Sequence, residues 1–132
     1  MIALDTNVLV RLLTNDDVRQ AAKAETWLRD NASARSPAYV DHIVLCELSW
    51  VLERSYGYPR ELVDQALTAL LDHDHLKVES PELVRQALGL HAAGPADFSD
   101  YLLAARAQAA GHAPVLTFDK KAARTATHRL LL

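Results

Sequence analysis

A chain of 132 residues has the length of one domain, and 50% hydrophobic with 23% charged residues, 4 Gly and 5 Pro, excludes a disordered or fibrous protein. Cys46 stands alone, which excludes an intramolecular disulfide and points to a reducing compartment. A net charge of −3 leaves no global basic footprint, so a polyanionic ligand would need a local basic patch or a bound cation.

The elements follow in chain order. Met1 to Leu4 is a short β-like run that stops at Asp5, passes through Thr6 and Asn7, and enters a second apolar stretch from Val8 to Leu13. The spacing of Ala21, Ala22, Ala24, Trp27 and Leu28 predicts a helix over Val18 to Asn31. Ser36 to Val40 reads as a strand. Asp41 then caps a helix running to about Arg54, which Tyr56-Gly57-Tyr58-Pro59 ends. Arg60 to Leu71 is a helix, Leu76 to Val78 a strand, and Pro81 opens a helix to about His91. Gly94-Pro95 breaks the chain. An Ala-rich helix covers Asp97 to Ala110 and is closed by Gly111. Pro114 to Phe118 is a strand, Lys120 to Ala126 a helical turn or two, and Arg129 to Leu132 an edge strand.

Short apolar strands that alternate with helices imply parallel strands joined by crossovers. The expected fold class is α/β, a three-layer α/β/α sandwich around a central, mainly parallel sheet, with residues 1–132 forming a single domain. The first residues lack a basic leader, and no apolar stretch reaches the ~18 residues of a membrane span. A soluble, cytoplasmic protein is expected.

Ligands of open parallel sheets bind at the carboxyl ends of the strands. Asp5 ends one strand and Asp119 another, each with a threonine beside it, Thr6 and Thr117. Glu47 lies in "DHIVLCELSWVLE". At 100° per residue, Ile43, Trp50 and Val51 flank its direction, while Ser49 and Glu53 point the other way. Glu47 is therefore expected inside the apolar arc, where an unpartnered carboxylate is expensive to bury. Asp97 and Asp100, spaced i,i+3, share one edge of a helix start, where the dipole favours negative charge. Each aspartate also has a local explanation: a strand-end turn or cap for Asp5, a capping box for Asp97 with Asp100, and a helix cap for Asp119. Caps explain acids singly. They do not explain a shared location, where like charges would keep some carboxyls protonated unless a cation neutralised them. Hard divalent ions prefer such oxygen ligands. No His–Cys set has zinc spacing, and His73 and His75 read as surface residues.

"ALDTNVLVRLL", "LCELSWVLERSYGY", "ADFSDYLLAARAQAAG" and "LTFDKKAAR" occur in that order over nearly the whole chain. The chain resembles the PIN-domain ribonucleases, specifically the VapC-type toxins of toxin–antitoxin pairs. The resemblance implies a metal-dependent endoribonuclease that hydrolyses RNA phosphodiester bonds. Its acidic quartet matches Asp5, Glu47, Asp100 and Asp119, with Asp97 an auxiliary metal ligand or a cap. Thr6, Asn7 and Thr117 match positions that orient carboxylates or water. The resemblance further implies Mg²⁺ or Mn²⁺, a homodimer and a cognate antitoxin. Arg11, Lys120, Lys121 and Arg124 lie near the acids in sequence and are candidates for the RNA backbone. Tyr56, Tyr58 and Tyr101 could stack bases, though core or rim packing suits them better.

Two other acid-based folds meet an obstacle here. A haloacid-dehalogenase-type phosphohydrolase needs a second Asp two residues after the first, and that position is Asn7. A response-regulator receiver needs adjacent acids after its first strand, and "LDTN" lacks them. A catalytically degenerate PIN fold that binds RNA or protein is the alternative function.

Overall fold

The computed structural model describes residues 1–131; the last residue of the expected edge strand, Leu132, lies outside them. Internal contacts divide the chain into two compact units, Met1–Glu79 and Ser80–Leu132.

In the first unit, α1 (Thr6–Leu13) packs on α2 (Val18–Asn31) and α3 (His42–Trp50). Strands β1 (Ala38–Val40) and β2 (Leu76–Val78) pair in parallel, with Ala38 opposite Leu76 and Val40 opposite Val78. The N-terminal run adds one parallel bridge, Ala3 to Tyr39; Tyr39 N–H donates to Ile2 O at 2.8 Å and Leu4 N–H to Tyr39 O at 2.9 Å. Helix α4 (Arg60–Leu71) packs on β2 and α3. The core holds Leu9, Val10, Val40, Leu45, Leu48, Leu52, Val63 and Leu67, all buried.

Aspartates start the first three helices. Asp5 accepts from Val8 N–H at 3.1 Å, Asp17 from Gln20 N–H at 3.0 Å and Asp41 from Val44 N–H at 2.9 Å. Each satisfies a backbone donor that the first helical turn leaves open. Helix α1 was not expected: Val8 to Leu13 reads only as an apolar run, and the capping role of Asp5 reveals the helix. After α3 the chain widens into a π-helical turn, Val51–Ser55, and Tyr56 N–H donates to Val51 O at 3.2 Å. His42 ties the start of α3 to the end of β2: its N–H donates to Glu79 Oε1 at 2.9 Å, and its Nε2 lies 2.7 Å from Glu79 O.

In the second unit, α5 (Pro81–Ala93) packs on α6 (Phe98–Ala109), and β3 (Val115–Thr117) pairs in parallel with β4 (His128–Leu130). A 3₁₀ turn, Ala122–Arg124, connects the two strands. Phe98, Tyr101, Leu102 and Val84 are buried in its core. Tyr101 Oη accepts from Ala96 N–H at 3.2 Å. Gly111, at φ +82°, supplies the left-handed residue that closes the end of α6. The α/β class with parallel strands is the one the sequence predicts.

Candidate active site

Asp5 is exposed at the end of the first bridge and caps α1. One of its oxygens, Oδ1, accepts Val8 N–H. Thr6 and Asn7 form the first turn beside it; Asn7 is exposed and shares with Asp5 the wall of a concave pocket of ≈ 750 Å³ within the first unit.

Glu47 corrects a sequence expectation. It is exposed, and so are its helical neighbours Ile43 (71%) and Trp50 (39%), whereas Ser49 is only 3% exposed. The core face of α3 carries His42, Leu45, Leu48 and Ser49. Ser49 satisfies its hydroxyl locally by donating to Cys46 O at 2.7 Å, which lets a small polar side chain be buried. The apolar arc of Ile43 and Trp50 is thus a solvent face around Glu47, and Arg54 Cζ lies 5.9 Å from the Trp50 ring centre.

Asp97 and Asp100 form the capping box, with Asp97 N–H donating to Asp100 Oδ2 at 3.2 Å. Asp100 is half-buried. Burial raises its carboxyl above the ordinary value; the Asp97 N–H opposes the rise, the Asp97 and Asp119 charges add to it, and His128 opposes it. Asp119 caps the 3₁₀ turn, its Oδ1 accepting from Lys121 N–H at 2.8 Å and Ala122 N–H at 3.4 Å. Thr117 Oγ1 accepts Asp119 N–H at 2.9 Å, which fixes the approach of the acid. The second unit therefore brings Asp97, Asp100 and Asp119 into one electrostatic field, and Thr117 holds one of them. Lys120, Lys121 and Arg124 are exposed around the same turn.

Arg11 is held rather than free. Its Nε donates to Gln20 Oε1 at 2.6 Å and its Nη1 to Asp16 Oδ1 at 3.2 Å, with Tyr56 Oη at 3.4 Å. Asp16 also accepts from Tyr56 Oη and from Thr14 Oγ1. Tyr56 and Tyr58 meet edge to face with centroids 6.4 Å apart, and Tyr101 is buried, so the tyrosines serve packing and clamping, as expected. His73 is exposed, and its Nδ1 accepts His75 N–H at 3.0 Å, in keeping with the surface role read for that pair.

Sequence reasoning missed His128. It is 6% exposed at the start of β4. Thr125 Oγ1 donates to Ala122 O at 2.9 Å, so the 2.6 Å contact between the two hydroxyls has Thr127 as donor. Thr127 has no second proton to give, and His128 Nδ1, 2.8 Å away, must therefore be the donor. Nε2 is left buried with no hydrogen-bond partner among the described residues. The run "RTATH", with hydroxyls at Thr125 and Thr127 before His128, is the available signal.

Among the described residues, no three His, Cys, Asp or Glu side chains stand close enough together to form a ready-made metal cage. An ion such as Mg²⁺ takes only one or two carboxylates and keeps several waters, so it does not require such a cage. A cation placed beside Asp100, half-buried with like charges near it, would favour its ionised form.

The chain belongs to the PIN-domain family, whose model matches residues 2–127. It is also similar to a VapC ribonuclease of Aquifex aeolicus (strain VF5), at 25% identity over 121 residues, covering 92% of this chain and 89% of that protein. Among the described residues no helix is long and apolar enough to cross a membrane.

Proposed function

We propose that the protein is a metal-dependent endoribonuclease, the toxin of a type II toxin–antitoxin pair, acting as a single domain over residues 1–132. The observation that carries the reading is the set of carboxylates fixed in the second unit, Asp100 accepting Asp97 N–H at 3.2 Å and Asp119 accepting Lys121 N–H at 2.8 Å with its own N–H held by Thr117. Family membership and the similarity to a VapC ribonuclease support it.

Asp5, Glu47, Asp100 and Asp119 would hold Mg²⁺ or Mn²⁺, with Asp97 as cap or auxiliary ligand. When bound, the cation supplies a Lewis acid that acidifies water and screens charge on the scissile phosphate. The chain's own groups do the rest. The helix N-terminal N–H groups fix the aspartates, and Thr6, Asn7 and Thr117 orient them or water. Lys120, Lys121 and Arg124 hold the RNA backbone, giving the local positive charge that the acidic chain lacks overall. A cognate antitoxin, a homodimer and a cytoplasmic setting complete the proposal.

Labelled RNA should be cut with Mg²⁺ or Mn²⁺ and spared in EDTA. Asp5→Asn should lower cleavage by more than the roughly 10–100-fold typical of losing a group one step removed from a metal. Cleavage that persists in chelator would exclude the mechanism. RNA binding without any cleavage would favour the binding module.

A further inference from the structure

The pocket beside Asp5 has no assigned role. It holds ≈ 750 Å³ and lies wholly within the first unit. That size falls in the range of sites that enclose small organic groups, about 300–1,000 Å³. Its lining is largely apolar, with Leu4, Val8, Ala24 and Trp27 among the contributors. Its polar groups are few: Asp5, Asn7, Arg11, Gln20 and Lys23.

Those polar groups are differently prepared. Arg11 is locked by Gln20 and Asp16, so its guanidinium presents a fixed edge and loses little freedom on meeting an anion. Gln20 accepts the Arg11 Nε proton through Oε1, which leaves its amide N–H donors free to read an acceptor. Lys23 is exposed on α2, and Trp27 is one helical turn further on, so an ammonium and an indole share a face of that helix. An indole beside an exposed cation and a fixed one matches an unpaired nucleotide: a base to stack and a phosphate to neutralise. A purely apolar guest would make no use of the Lys23 ammonium or of the Gln20 amide N–H groups.

We infer that this pocket is a subsite for one unpaired RNA nucleotide, its base stacked on Trp27, its phosphate held by Lys23 and Arg11, and its base edge met by Gln20. The inference rests on the nuclease reading for the meaning of Asp5, which would then stand beside the nucleotide adjoining the cut. The subsite needs no metal.

The test is binding of a 5′-fluorescein RNA hexamer to the full chain in EDTA, followed by anisotropy. Trp27→Ala should weaken binding about tenfold, the usual effect of losing one base–aromatic stack, and Trp27→Phe should restore most of it. Lys23→Glu, at an exposed position where folding is not at stake, should weaken binding and flatten its salt dependence by about 0.7 in the log–log slope per lost phosphate contact. An abasic hexamer should bind poorly and ignore Trp27→Ala. The pocket assignment is overturned if Lys23→Glu and Trp27→Ala both leave hexamer affinity unchanged, or if the abasic strand binds as tightly as RNA. It is equally overturned if these variants lose a protein partner while keeping RNA. Cleavage separates the two readings. RNA cut with Mg²⁺ at unchanged KM in both variants removes the subsite and leaves the nuclease. Trp27-dependent binding with no cut under any metal removes the nuclease and leaves the subsite.

Discussion

Asp16 shows how far a surface carboxylate can be tuned by neighbours alone. The Tyr56 hydroxyl, the Thr14 hydroxyl and the Arg11 guanidinium all favour its charged form, and its pKa lies below the ordinary 3.8. A lowered native value means the unfolded chain takes up the proton first as pH falls. The clamp therefore contributes in full above about pH 3.8 and is lost as pH drops through the lower native value. Asp16→Asn should lower the melting temperature at pH 7, and the difference from wild type should shrink below that window in a pH series. Asp100 has the opposite sign. Its raised value means the folded chain keeps the proton longer, so stability declines as pH rises from the ordinary 3.8 through the native value. Asn is neutral at every pH and can still accept Asp97 N–H. In EDTA, Asp100→Asn should melt higher relative to wild type at pH 7 than at pH 3; the reverse order would contradict the electrostatic account of this site.

Helices and strands were largely legible, and the lapses have physical causes. The bounds Val18–Asn31, Arg60–Leu71 and Leu76–Val78 coincide with expectation, because caps, Pro59 and apolar spacing agree there. Helix α1 is hidden because Val8 to Leu13, apolar but for Arg11, is too short a run to show a helical period. Glu47 lies off the face that the wheel predicts because hydrophobicity alone does not separate a core face from an exposed apolar one; a locally satisfied Ser49 takes the core position instead. His128 escaped because its meaning depends on a chain of hydroxyl donors that only coordinates reveal. Gly94 is a further case. Its φ is ordinary, yet a β-carbon there would fall on the hydroxyl of buried Tyr101. Gly94→Ala should destabilise the α5–α6 unit by about 1–3 kcal/mol, as overpacking does; denaturant melts would show it, and the double variant Gly94→Ala with Tyr101→Phe should recover part of the loss.

For the molecule as a whole, the proposed convergence of acids makes a thermodynamic demand. An ion held only by the folded chain stabilises it by about 2.7 kcal/mol at 100 times Kd. Mg²⁺ should raise the melting temperature of the wild type. If Asp5 and Asp100 serve the same ion, Asp5→Asn and Asp100→Asn should each abolish most of that response, and the double variant should add little more. Independent, additive losses would mean that the acids do not act together. The capping bonds bear on which ion is chosen. Asp5, Asp100 and Asp119 each commit one oxygen to a backbone N–H. A cation gripping both oxygens of one carboxylate would compete with those bonds, whereas single-point attachment leaves them intact. Calcium, which readily takes both oxygens and six to eight donors, is disfavoured by that denticity; the smaller octahedral magnesium is not.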